Sequence, residues 1–224
     1  MKITFLGTGA ADWNAREHRT WDGFRRNSAA LIDDCLLIDP GPDVPEALLT
    51  FGKRREDIQW ILNTHRHSDH YNKDTLSYLA NASFISLAAG ETKTFGPYTV
   101  SAYTANHGTC EGAVHFILTD GEKRIFYGLD GAWLLYDAVE GIKKNGVDYA
   151  VLDATIGNVP GDYRIFEHNN LNMVLEMKET LNPYIKCLCI SHMARTLHGT
   201  QTALEEAMRP YGVEVAYDGY EKEL

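Results

Sequence analysis

The run Thr64-His65-Arg66-His67-Ser68-Asp69-His70 constrains this chain more than any other stretch. It packs three imidazoles and one carboxylate into six residues, directly after the apolar, strand-like segment Ile58-Gln59-Trp60-Ile61-Leu62. Imidazole and carboxylate are borderline-to-hard ligands that suit zinc, manganese or iron. The His-x-His-x-Asp-His spacing lets His65 and His67 converge on one ion while Asp69 and His70 face a neighbouring one. A polar loop whose histidines bond only to backbone is the plainer alternative, but so dense a set of ligands points to metal-assisted hydrolysis.

Further candidate ligands follow apolar runs. Tyr98-Thr99-Val100-Ser101-Ala102-Tyr103 leads to His107, Arg124-Ile125-Phe126-Tyr127 runs through Gly128 to Asp130, and Ile185-Lys186-Cys187-Leu188-Cys189-Ile190 is followed by His192. Each run favours extended structure, so packing can bring all the ligands to one edge of a sheet sandwich. They span residues 65 to 192, so both halves of the chain must build one site, and residues 1–224 read as a single hydrolase domain.

With these residues in place, the chain resembles the metallo-β-lactamase superfamily of binuclear metallohydrolases, and within it the phosphoribosyl cyclic phosphodiesterase and ribonuclease Z branch. Phe5-Leu6-Gly7-Thr8-Gly9-Ala10 is similar to the family's first strand and glycine turn, Leu37-Ile38-Asp39-Pro40-Gly41 to its second turn, and Val215-Ala216-Tyr217-Asp218-Gly219 to the closing strand of its phosphodiesterase members. The resemblance implies an α/β fold, a four-layer αββα sandwich of two mixed sheets with helices outside. It implies that His65, His67 and His107 hold one divalent metal, that Asp69, His70 and His192 hold another, and that Asp130 bridges them. Zinc is the first choice of metal, with Mn2+ or Fe2+ compatible with the same ligands. Two such cations repel and need an anionic ligand and a bridging hydroxide between them, and metal binding makes that hydroxide available at neutral pH. Asp69 and Asp130 then belong to the catalytic set, as does His168, which stands where related phosphodiesterases place a histidine that stabilises or protonates the leaving oxygen, the plainer reading being a surface histidine near a helix N-terminus. The chain departs from the family in having Tyr71-Asn72-Lys73-Asp74 where many members turn on a glycine. It also lacks the cysteine-rich insertion and the long nucleic-acid arm of the two named branches.

Other residues carry weaker signals. Asp153 in Val151-Leu152-Asp153-Ala154-Thr155 reads as an acceptor orienting a ligand histidine, or as a strand-end residue. His18, Arg25 and Arg26, with Trp13, Trp21 and Phe24, lie in a loop that either meets a phosphate and a base or buries its own aromatics. His115 reads as a packed strand residue, and His198 as a capping or exposed one, with an approach to the cleft as the alternative.

Helices are expected over 43–51, 72–80, 133–145, 169–181 and 200–211, from apolar spacing and breakers such as Gly146, Pro183 and Pro210. Leu134, Leu135, Ala138 and Ile142 form one core-facing stripe, and Met173, Leu175, Met177 and Leu181 contribute to another. A net charge of −10 argues against non-specific nucleic-acid binding. A small phosphodiester is the favoured partner, a nucleic-acid end is accommodated less readily, and a homodimer agrees with the family's habit. Cys35, Cys110, Cys187 and Cys189 make no CxxC pair and read as free thiols. With no run approaching ~18 apolar residues, no membrane partner is implied and a cytoplasmic enzyme is the simplest expectation. Three functions stay open: a phosphodiesterase; a lactone, thioester or amide hydrolase of the same fold; and a non-catalytic metal-dependent binding protein.

Overall fold

Short apolar runs rich in Ile, Val, Leu and aromatics become strands because they present side chains to buried faces on both sides. The computed structural model describes residues 1–224 and divides them into two units, Met1–Ser86 with Ala216–Leu224, and Leu87–Val215.

The first unit holds a six-stranded sheet in the order β13 (Glu221–Glu223), β1 (Lys2–Gly7), β2 (Ala29–Ile32), β3 (Leu36–Ile38), β4 (Trp60–Leu62) and β5 (Ser83–Ile85). β13, β1, β2 and β3 pair antiparallel, whereas β3, β4 and β5 run parallel, with Leu37 opposite Ile61 and Ile38 opposite Leu62. Leu6, Leu31, Leu37 and Ile61 pack with Val44, Ala47 and Leu48 of helix α2 (Val44–Thr50). A one-turn helix, α1 (Ala15–His18), precedes α2, and α3 (Lys73–Tyr78) starts where the Asn72 side chain accepts from Thr75 N. That cap ends the histidine loop.

The second unit holds a seven-stranded sheet. Its order is β12 (Val213–Val215), β11 (Ile185–Ser191), β10 (Val147–Asp153), β9 (Arg124–Gly128), β8 (Val114–Thr119), β7 (Tyr98–Thr104) and β6 (Thr92–Phe95). Strands β6 to β9 form an antiparallel meander, and β9 to β12 are parallel. Helices α4 (Tyr136–Asn145), α5 (Leu171–Leu181) and α6 (Gln201–Met208) supply Ala138, Ile142, Val174, Met177 and Leu204 to a core shared with Phe126, Leu152 and Leu188. Truncating Leu152, which is fully buried, to Ala would cost ~2–5 kcal/mol.

Three expectations need correction. Helix α4 starts at Tyr136, not Trp133, because Trp133 adopts φ 59° and Leu135 is extended. Leu135 therefore leaves the core stripe and is 38% exposed. Residues 216–219 do not form the strand expected there: β12 ends at Val215, and the Asp218 carboxylate beyond it accepts from Thr8 Oγ1 and Arg26 N at 2.8 and 2.7 Å. No helix is long and apolar enough to cross a membrane. All four cysteines are free thiols.

Candidate metal centre

In the first unit the polar residues leave from the carboxyl ends of the parallel neighbours β3 and β4. Ligands of open α/β sheets bind at such ends. Asp39, just past β3, is fully buried with φ 64°. Its carboxylate accepts from Thr64 N at 2.8 Å, Thr64 Oγ1 at 2.9 Å, His70 Nδ1 at 2.9 Å and Asn63 Nδ2 at 3.2 Å. The bond to Asp39 places the His70 proton on Nδ1 and leaves Nε2, 3.3 Å from Asp69 Oδ2, as the ligand atom. The Thr64 hydroxyl, donating to Asp39, accepts from His65 Nδ1 at 2.9 Å. His65 thus presents Nε2, 3.1 Å from His67 Nδ1. Two nitrogens on one tetrahedral zinc at ~2.0–2.1 Å lie roughly 3.3 Å apart, so this pair stands near ligand spacing. Gly41 permits the packing behind it, since a Cβ there would fall 2.1 Å from Asp69 O.

In the second unit three adjacent parallel strands, β9, β10 and β11, deliver Asp130, Asp153 and His192 at their carboxyl ends. Asp130, Asp153, His168 and His192 offer ligand atoms that all lie within 4.8 Å of one another, a set that suits a divalent ion. Asp130 Oδ2 is 3.2 Å from His192 Nε2, and Asp130 Oδ1 is 4.0 Å from His107 Nε2, so the carboxylate lies between two imidazoles. Asp130 and His192 adopt φ 55° and 63°, a left-handed backbone that Asp and His accept more readily than branched residues do.

Asp153 is fully buried and accepts from Asp130 N at 3.2 Å, Thr155 N at 2.8 Å, Asn169 N at 3.2 Å, Thr155 Oγ1 at 3.1 Å and His168 Nδ1 at 2.7 Å. Burial pushes its carboxyl up, but the His168 and His192 rings hold it below the usual range. Thr155 Oγ1 accepts from His192 Nδ1 at 2.7 Å, which turns His192 Nε2 toward Asp130. His107 Nδ1 faces Glu167, 3.4 Å from its main-chain oxygen and 3.9 Å from Oε2, and again Nε2 is the presented atom. Burial alone would depress the His168 pKa; the Asp153 carboxylate, with Asp130 and Glu167, instead pushes it up to about 9.

The structure thus gathers His65, His67, Asp69 and His70 in one unit, and His107, Asp130, Asp153, His168 and His192 in the other. It does not offer the loop arginines to a phosphate. Arg25 is buried and donates to Thr8 Oγ1 at 2.7 Å and Ala216 O at 3.0 Å, while Arg26 pairs with Glu46 at 3.0 Å and Asp218 at 3.5 Å. His18 accepts from Asn14 N at 2.9 Å and packs its ring 4.5 Å from Trp21; of the loop's aromatics Trp13 is buried, whereas Trp21 stays 50% exposed. His198 is neither a cap nor exposed: its Nε2 donates to Ala154 O at 2.7 Å, bracing the turn that holds Thr155. Sequence reasoning missed the orienting work of Asp39, Thr64, Thr155 and Glu167. Asp39 was visible only as a turn residue, and a threonine two places after a strand-end aspartate is too common a pattern to single out.

The family description Metallo-beta-lactamase superfamily matches residues 22–72, the segment that contains Asp39 and the histidine run. A UPF0173 protein of Pyrococcus abyssi (strain GE5 / Orsay) is 31% identical over 109 residues, 40% of this chain and 49% of that protein; the match thus spans about half the length of this curated relative. Among solved structures, Zn2+-bound PqqB from Methylobacterium extorquens has a TM-score of 0.76 at 17% identity, covering 100% of both chains. The short form of human tRNase Z has a TM-score of 0.74 at 16% identity, covering 100% of this chain and 99% of that one. At those identities the likeness concerns fold, and it bears out the metallo-β-lactamase fold expected from the residues. The segment that matches this superfamily carries Asp39 and the histidine run, and the agreement with solved structures over the full length shows the metallo-β-lactamase fold.

Proposed function

We propose that this protein is a binuclear metal-dependent phosphodiesterase of the phosphoribosyl cyclic phosphodiesterase and ribonuclease Z branch, acting on a small or cyclic phosphodiester. The observation that carries this is the Asp153–His168 pair, 2.7 Å apart, because it puts a proton donor beside the Asp130 and His192 ligand atoms. Expulsion of an alkoxide from phosphorus needs such a donor, whereas many activated acyl substrates do not.

His65, His67 and His107 would hold one ion, Asp69, His70 and His192 the other, and Asp130 would be shared. The donor set fits: His65, His70, His107 and His192 each commit Nδ1 to an oxygen and present Nε2, the second-contact pattern of metal-binding histidines. Nitrogen and carboxylate donors favour zinc, accept manganese or iron, and agree with a fold neighbour solved with Zn2+ bound. When bound, two such cations supply hydroxide at neutral pH and neutralise charge developing on the phosphate oxygens. Asp130 contributes the negative charge that two neighbouring cations require. His168 enters the reaction protonated, its Nδ1–H fixed on Asp153, and gives the proton on Nε2 to the departing oxygen. The neutral ring left behind keeps its bond to Asp153. A fold neighbour that is a tRNase supports a phosphodiester as substrate, while the charge of −10 favours a small one over a long nucleic acid. On this view residues 1–224 act as one hydrolase domain, and a homodimer is the assembly to look for.

The test is turnover by zinc- and manganese-loaded protein of a chromogenic phosphodiester, a phosphomonoester and a lactone, with an Asp69→Ala, His70→Ala double variant as blank. Hydrolysis confined to the diester and lost in the blank is expected. His168→Ala should lower turnover by ~10²-fold on a poor leaving group while metal content stays intact. Turnover of the lactone alone would overturn the proposal.

A further inference from the structure

His115, the second residue of β8, lies beneath the loops that deliver His107 and Asp130. It is 1% exposed, and its ring meets Phe126 edge-on with centroids 5.7 Å apart. Its ring nitrogens make no well-formed hydrogen bond, and the main chain of Leu129 and Asp130 is the polar group they face. Burial pushes its pKa down to about 4, so the ring is uncharged at neutral pH. Enclosing its N–H costs free energy that leucine or phenylalanine would not incur.

The ring touches the main chain of the ligand loop. A Cβ built on Gly131 would lie 2.8 Å from both Cε1 and Nε2 of His115, and 3.6 Å from Asn106 N. Gly131 directly follows Asp130. Ala132, one residue on, is bonded in both directions to Asn106, the residue before His107: Asn106 Nδ2 donates to Ala132 O at 2.7 Å, and Ala132 N donates to Asn106 O at 3.1 Å. The imidazole thus wedges where the Asp130–Ala132 turn meets the Asn106–His107 stretch, and Gly131 is the residue without a side chain that lets it do so.

We propose that His115 is a positioning residue for the metal centre, its ring seated against Gly131 and setting how far the Asp130 carboxylate stands from His107. The inference rests on the metal-centre assignment above and extends it to a residue that touches neither metal nor substrate. Its partner is Gly131, so the two positions must be coupled: a methyl group at 131 displaces the turn only while the ring is present.

The experiment uses full-length wild-type, H115A, G131A and H115A/G131A proteins. Mn2+ affinity is read by chelator competition, the spin-coupled manganese pair by electron paramagnetic resonance, and metal-free folding by the thermal midpoint. G131A is expected to lose ~10-fold or more in affinity for at least one Mn2+ together with the coupled signal, whereas H115A/G131A regains the signal and binds about as tightly as H115A. Losses that simply add in the double variant, or variants whose thermal midpoint shifts while affinity and spectrum stay at wild-type values, would overturn the proposal. Should G131A fail to fold, recovery of a folded, metal-coupled protein in H115A/G131A supports it and continued failure overturns it. Wild-type protein that binds no metal pair would bring down the metal-centre assignment and this role with it; a wild-type pair with additive losses would remove the role of His115 alone.

Discussion

Two buried aspartates, Asp39 in the first unit and Asp153 in the second, are built alike. Each is fully buried, each accepts from both the main-chain N–H and the hydroxyl of a threonine, and each holds an imidazole by Nδ1. They differ in what the imidazole is for. Asp39 holds His70, a candidate metal ligand, and through Thr64 it also braces His65. Asp153 holds His168, the candidate acid, and through Thr155 it also braces His192. On the proposed function the first network would serve metal capture alone, whereas the second would join metal capture to proton transfer through one carboxylate.

That difference predicts unequal damage. Asp153→Asn should lower turnover of a diester with a poor leaving group by ~10³-fold even at saturating metal, because it removes the anion that keeps His168 protonated and loosens His192 as well. Asp39→Asn should instead weaken metal binding by ~10–100-fold, with much of the turnover returning when zinc is supplied in excess. Steady-state kinetics across a zinc titration separates the two, and equal losses at saturation would dissolve the distinction.

A smaller effect follows from the His168 pKa, raised by its carboxylate neighbours above the ordinary histidine value to about 9. A raised folded-state value contributes stability that is complete below pH ~6.5 and disappears as pH rises through about 9. Metal-free wild-type protein should therefore lose ~2–5 °C in thermal midpoint between pH 6.5 and 9.5 relative to His168→Gln, and parallel profiles would show that the Asp153–His168 pair adds nothing to stability. The comparison must be made without metal, since nearby dications would oppose the imidazolium.

The two units were also unequally legible in the sequence. His65, His67, Asp69 and His70 declare themselves because one loop carries all four. His107, Asp130 and His192 could be picked out only as polar residues following extended runs, and their gathering depends on the strand order β11-β10-β9-β8-β7, which places distant segments side by side. Helix positions were largely readable, as with Ala138 and Ile142 on α4, but Trp133 was not, because its left-handed backbone follows from bonds to Asn169 and the Asp130 turn. The loop arginines could not be decided for a related reason: Arg25 and Arg26 meet partners at 216 and 218, far along the chain and invisible to local spacing.

The left-handed backbone at Asp130 and His192 bears on how a lineage carrying this fold would drift. Asparagine tolerates that conformation about as well as aspartate or histidine does, and glycine adopts it without steric cost. Both original residues reach asparagine by a single-base change in their codons. Loss of the ligands is thus a short step that leaves the strand ends undisturbed, whereas loss of the fold is not. Descendants that abandon the chemistry would keep the scaffold, and an inert relative of this protein should betray itself by asparagine or glycine at these two positions.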